Sequence, residues 1–153
     1  MYDILCRMAI DNTKITQEVK ETLINVQIRL QDINSILASD PDAAGNEKLN
    51  TLDGQVDLLE KNIDNYSEGL KPLRSFILPS GGGQVSTQLH VSRAICRRAE
   101  RSLCSLLTEE LMASSGRFLE SEKYLNRLSD FLFVAARYSA IGPVTEYSSK
   151  TTK

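Results

Sequence analysis

The sequence predicts an all-α protein, a bundle of four to five helices. Two observations carry this: four stretches whose apolar residues recur in steps of three and four, and the short breaks rich in Pro, Gly and Ser that separate them. The size fits, since 153 residues is about one domain's worth of chain, domains mostly running ~100–150 residues. We take residues 1–140 as one helical-bundle domain with an atypical N-terminal 1–12, and 141–153 as a disordered tail.

The N-terminus, MYDILCRMAIDN, has one Arg and two Asp and is expected to give at most a helical turn or two. It is neither an Arg-rich, acid-poor presequence nor a secretory signal with a long apolar core. From about Thr13 to Ser39 the apolar stripe is Ile15, Val19, Leu23, Val26, Leu30, Ile33 and Leu37, with Asn12 or Thr13 available as N-cap. Asp40-Pro41-Asp42 ends it, because proline disfavours helical geometry at the residue before it. The second stripe is Leu49, Leu52, Val56, Leu59, Ile63, Tyr66 and Leu70, with Gly54 inside it and Lys71-Pro72 as its stop. An apolar extended segment, Ser75 to Pro79, then runs into Gly81-Gly82-Gly83. The third stripe follows: Val85, Leu89, Ser92, Cys96, Ala99, Leu103 and Leu106, reaching towards Met112 before Ser114-Ser115-Gly116. The fourth is Leu125, Leu128, Leu132, Ala135 and Ser139, stopped by Gly142-Pro143.

Composition narrows the function. Eighteen basic and 20 acidic side chains give a net charge of -2, a poor match to bulk phosphate-backbone binding, so no nucleic-acid partner is expected. No apolar run approaches the ~20 residues that span a bilayer, so no membrane partner is expected. One histidine and three cysteines without a CxxC pair leave almost no material for a zinc site, and no metal-binding residue is assigned. Cys96 and Cys104, eight residues apart on one helix, lie ~12 Å apart and cannot bridge. The absence of a disulfide framework fits a reducing compartment.

Chemistry concentrates on the last two helices. Arg93, Arg97 and Arg101 fall at i, i+4 and i+8 and share a face, with Arg98 beside them and Glu100 the only acid, a local charge of +3. Converging guanidiniums can hold a polyphosphate through bidentate hydrogen bonds; equally they can form a solvated face or pair with acids on a neighbouring helix. The glycines entering the same helix could offer backbone N–H groups to an anion or simply form a helix-entry turn. Asn126, Arg127, Ser129 and Asp130 make a polar knot in the apolar stretch Leu125 to Ala136, with Asn126 and Asp130 facing the same way. It suits either a ligand's hydroxyls or base, or pairing between helices. Phe76, Phe131 and Phe133 are core by default; Phe131 and Phe133 point in different directions, so one of them can face away from the core. His90 reads as a structural histidine.

Three segments, FILPSGG at 76–82, LHVSRAICRRAER at 89–101 and LNRLSDFLFVAAR at 125–137, resemble the signature segments of the PduO-type ATP:cob(I)alamin adenosyltransferases. INVQIRLQDINSILAS resembles that family's first long helix, so the likeness covers roughly residues 25 to 140. The resemblance implies a ferritin-like bundle assembling as a homotrimer with active sites between subunits. It implies a transferase that moves the 5′-deoxyadenosyl group of ATP to reduced cobalamin (vitamin B12), releasing tripolyphosphate, with Mg²⁺ accompanying the nucleotide. By position, Arg97, Arg98, Glu100, Arg101 and Asn126 would bind ATP; Arg97 and Arg93 would be the catalytic residues, Arg93 salt-bridging an aspartate across the interface. Phe76, Phe133 and Asp130 would bind cobalamin, the two rings keeping the lower axial ligand off the cobalt. A reductase and an adenosylcobalamin-dependent enzyme are further implied partners. The Ser80 before the glycines looks like the animal form, which points to the mitochondrial matrix; the cytoplasm is the alternative.

The sequence departs from the family at its start. The TKTGD-type phosphate loop and the acidic segment after it are not present, and residues 1–12 contain no glycine. The simplest account is a shortened product, and the expectation is that the bundle and the corrin-facing surface survive while ATP affinity falls. Two further readings stay open: a catalytically impaired form acting as a cobalamin-binding or trimer-forming module, and a plain helical interaction domain.

Overall fold

The computed structural model describes residues 17–39, 52–80, 82–108, 116–142 and 145–147. Four helices cover most of them: α1 (Gln17–Ala38), α2 (Gln55–Ser67), α3 (Gly83–Thr108) and α4 (Gly116–Tyr138). Among the described residues no helix is long and apolar enough to cross a membrane.

α1 buries Val19, Leu23, Val26, Leu30 and Ile33 as its spacing requires. Its last turn differs from the expected stripe. Ile36 enters the core, 1% exposed, while Leu37 is 40% exposed and turns to a groove between α1 and α3. Ile15 and Leu49 lie outside the described residues.

Gly54, expected inside the second helix, precedes α2 instead. Its φ of 66° is left-handed, a conformation that costs glycine nothing. Its carbonyl accepts from Leu58 N–H at 3.1 Å, opening the helix at Gln55. α2 ends at Ser67, before the expected Lys71-Pro72 stop, and the chain turns there, Leu70 N–H reaching Ser67 O at 2.9 Å. Leu59 and Tyr66 are its buried anchors.

On α3, Val85, Leu89, Ser92, Cys96 and Leu103 are buried, and Ala99 packs partly against the core. Leu106 is 42% exposed; Leu107 takes the core contact instead. Met112 lies outside the described residues. α4 is the hub. It packs along α3 over most of its length, against α2, and more sparsely against α1. It starts at Gly116 rather than near Leu125 and so adds Phe118, Ser121 and Tyr124, all 1% exposed or less. Its apolar face is broad because it has neighbours on three sides. Phe131 is fully buried and Phe133 only partly, so Phe133 is the ring turned from the core.

Within the expected frayed tail the structure gives a contact. Ile77 and Glu146 form an isolated antiparallel bridge, with Leu78 N–H on Thr145 O at 2.8 Å and Tyr147 N–H on Phe76 O at 2.5 Å. The segment from Pro72 to Pro79 is outside any helix, and Thr145 and Tyr147 pair with its Leu78 N–H and Phe76 carbonyl.

Candidate functional site

The arginine-bearing part of α3 lies along α4, so the two polar motifs of the sequence meet. Glu100 is buried at 5% exposure. Its carboxylate accepts from Arg97 Nη1 at 2.7 and 2.5 Å and from Asn126 Nδ2 at 2.9 Å. A carboxylate on the core side of α3 thus holds one guanidinium on its own helix and one amide on the next. Arg97 keeps 39% of its side chain exposed, which leaves the outer edge of a five-donor fork facing outward. Arg98 and Arg101 are exposed on α3. Ser129 Oγ donates to Asn126 O at 2.8 Å and, buried, fixes the backbone beneath that amide.

A second group forms around Phe133. The Arg93 guanidinium carbon stands 5.3 Å from the ring centroid and that of Arg137 at 5.9 Å. His90 meets the ring edge-on at 6.1 Å. Cations over a ring face are attracted by its quadrupole, so Phe133 is held by charge as well as by packing. Burial lowers the pKa of His90, and Arg93 lowers it further; the imidazole beside Phe133 is therefore neutral at pH 7. Arg93 Nε is buried without a hydrogen-bond partner among the described residues, a donor that a carboxylate or phosphate oxygen would satisfy.

The remaining candidates are not gathered with these. Asp130 is exposed and pairs with Arg127 at 3.1 Å, and Arg127 also reaches Glu60 on α2 at 3.1 Å. Asn126 and Asp130, expected to act on one face, therefore serve different helices: one joins Glu100, the other the Arg127–Glu60 pair. Phe76 is 86% exposed. Two hollows lie elsewhere. One, of about 760 Å³, opens between α1 and α3 and is walled by Ile28, Leu37, Ile95, Arg98 and Leu106. The other, of about 580 Å³, lies between α1 and α2 beside Glu18, Glu21, Tyr66 and Tyr138. Of the residues expected to bind ATP, Arg98 alone borders either of them.

Arg137 is the residue the sequence reading missed. It covers Phe133 and donates from Nη2 to Lys71 O at 2.6 Å, tying α4 to the loop that carries Phe76. Its spacing from Phe133, four residues on a helix, was the available signal. Among the described residues no three His, Cys, Asp or Glu converge as a metal site.

Comparison with known proteins adds three findings. A family model described as cobalamin adenosyltransferase matches residues 4–139. The corrinoid adenosyltransferases of Mus musculus and Homo sapiens are 44% and 43% identical to this chain over 128 residues, 79% of the chain in each case and 50% and 47% of those proteins. The chain thus spans about half the length of these curated relatives. Among solved structures, a variant PduO-type ATP:corrinoid adenosyltransferase from Lactobacillus reuteri complexed with cobalamin and ATP superposes with a TM-score of 0.77 at 31% identity, over 95% of this chain and 80% of that one. Another variant of that enzyme, complexed with ATP, gives 0.78 at 29% identity, over 96% and 81%.

Proposed function

The chain belongs to the cobalamin adenosyltransferase family, and from that premise we propose that it transfers the 5′-deoxyadenosyl group of ATP to reduced cobalamin. The observation that carries the reading is the Glu100 junction. A buried carboxylate that pins Arg97 and Asn126 together turns two flexible polar side chains into a preorganised pair. Preorganised donors act on a polyphosphate without a further ordering cost.

In this reading Arg97, with Arg98 and Arg101 beside it, neutralises the triphosphate, and Asn126 hydrogen-bonds the nucleotide. The cobalt of cob(I)alamin attacks C5′; the Co–C bond forms as the C5′–O bond breaks, and tripolyphosphate carries away the electron pair. Reduced cobalt is itself a strong nucleophile, so no general base is required of the neutral His90. The chain contributes position and charge. Phe133 and Phe76 face the corrin and keep water and the lower ligand from the cobalt, with Asp130 at the margin of that surface. Arg93, with its buried unpartnered Nε, awaits an acceptor from a neighbouring subunit. Magnesium, which binds through phosphates and keeps most of its waters, would arrive on the ATP.

The assembly proposed is a homotrimer with the site between adjacent subunits. The 86% exposure of Phe76, on the proposed corrin surface, supports a further surface laid against this one. A reductase and an adenosylcobalamin-dependent enzyme are the proposed upstream and downstream partners. The animal-like FILPSGG segment supports the mitochondrial matrix as the compartment.

The test is direct. The chain is incubated with MgATP and chemically reduced cobalamin, and the light-sensitive spectrum of adenosylcobalamin is followed together with tripolyphosphate release. Formation of both supports the reading. Cobalamin bound without turnover would leave a binding module, and neither binding nor turnover would overturn the proposal.

A further inference from the structure

The loop from Lys71 to Gly82 carries the most exposed large apolar side chain of the described residues, Phe76 at 86%. A ring so little covered takes no position from packing; it stands where its backbone puts it. The described residues of that backbone belong to no helix, and most of their hydrogen bonds reach out of the loop. Arg137 Nη2 donates to Lys71 O at 2.6 Å. Tyr147 N–H donates to Phe76 O at 2.5 Å, and Leu78 N–H to Thr145 O at 2.8 Å. Ser75 Oγ donates to the Glu146 carboxylate at 3.0 Å. Ile141 N–H donates to Gly82 O at 3.0 Å. All five contacts come from the end of α4 or the segment that follows it.

The glycines at the loop's far end fit the same picture. A Cβ on Gly82 would stand 3.1 Å from Ala140 Cβ and 2.4 Å from Ser86 Oγ; one on Gly83, whose φ is +84°, would stand 3.2 Å from Ile141 Cδ1. The loop lies close against Ala140 and Ile141, and it is Ser86 beside Gly82 and the left-handed φ of Gly83 that favour glycine at these two positions.

We propose that Arg137, Ala140 and Ile141, together with Thr145–Tyr147, are a positioning frame for the Phe76 loop, so that the C-terminal segment sets where Phe76 stands on the corrin surface. This rests on the corrin reading of Phe76 given above. Tyr147 is a positioning residue through its backbone N–H, not its ring. Its replacement by proline removes that one donor, on an exposed residue far from the core.

Three proteins test the frame: the chain, Tyr147→Pro, and Tyr147→Phe, which keeps the N–H. Amide hydrogen exchange at Leu78 reads the bridge itself, and cobalamin and ATP affinities are measured beside it. In Tyr147→Pro, Leu78 exchange is expected to quicken and cobalamin affinity to fall, each about fivefold, the loss of one hydrogen bond, with ATP affinity within about twofold. A smaller share of the bound cobalamin would lack its lower ligand in the visible spectrum. Tyr147→Phe is expected to match the parent in all of these. Faster exchange at Leu78 with unchanged cobalamin affinity and spectrum overturns the proposal, as does unchanged exchange. Should the parent chain bind no cobalamin, the corrin reading fails by itself. The frame is then decided by exchange alone: a chain ending at Gly142 whose Ser75–Leu78 amides stay as protected as the parent's overturns it.

Discussion

Replacing Glu100 separates a structural strut from a nucleotide-organising residue. Its side chain is 7% exposed and that of Arg97 39%. Breaking a fully buried pair costs about 3–5 kcal/mol. Here one partner reaches water, so the loss for Glu100→Ala is discounted to about 2–3 kcal/mol. Glu100→Gln keeps the shape and one acceptor oxygen, and so loses mainly charge assistance, about 1–2 kcal/mol. For a chain of this size each kcal/mol moves the melting temperature by about 2–4 °C. The Gln variant should melt roughly 2–8 °C lower and the Ala variant roughly 4–12 °C lower, by calorimetry or circular dichroism. The Gln variant remains folded at 20 °C and permits a nucleotide titration. With Arg97 held by one neutral acceptor in place of a carboxylate, ATP affinity should fall about tenfold, the equivalent of ~1.4 kcal/mol. Cobalamin affinity should hold, because Phe133 is fixed by other groups. An unchanged ATP dissociation constant in a Gln variant of lowered melting temperature would refute the reasoning: Glu100 would then be a strut only.

Further outcomes follow from burial, backbone and charge. Leu128→Ala, at a fully buried position of α4, should cost about 2–5 kcal/mol in urea denaturation. Gly54→Ala meets nothing within 4 Å, so its cost is backbone strain alone, about 1–2 kcal/mol by the same measurement. His90 has a lowered pKa, first from burial and then from Arg93. The unfolded chain therefore takes up this proton at higher pH than the folded one, and stability should fall as pH drops from about 6.5; His90→Gln should flatten that slope in denaturant midpoints measured from pH 7 to pH 5. The Cys104 thiol is pushed up by burial and by Glu122, whose carboxylate it meets at 3.7 Å; at pH 7 it should react with iodoacetamide more slowly than a free cysteine.

The helices were legible because their apolar spacing answers to one physical demand, a buried stripe. The stripe erred where that demand is shared. At the end of α1 both Ile36 and Leu37 are apolar, and the core and the α1–α3 groove take one each. At Gly54 the apolar spacing places a glycine inside the helix, whereas its positive φ makes it the helix's starting turn. The arginine cluster was legible as charge, but not its division. Sequence spacing put Arg93, Arg97 and Arg101 on one face, while the structure sends Arg93 to an aromatic ring and Arg97 to Glu100. Those choices depend on what α4 presents at the same height, and the packing register of two helices is not written in either one. The bridge at Ile77 and Glu146 was illegible for a like reason: it joins residues about seventy positions apart, with no apolar period to announce it.

The two phenylalanines on the proposed corrin surface are held by opposite means, and this fixes how each should tolerate change. Phe133 grows from α4, whose inner face is locked into the core by Phe131, Leu132 and Ala135, and two guanidiniums cover its ring. Moving it means moving the hub helix. Phe76 hangs from a loop by backbone hydrogen bonds to the C-terminal segment, each worth about 1 kcal/mol. The Phe133 side of the surface is therefore rigid and the Phe76 side adjustable. Arg137 joins them, with its guanidinium over Phe133 and one donor on Lys71 O. A cobalamin pressing on Phe76 would load that link, and Arg137→Lys, which keeps charge but loses the planar fork, would loosen it.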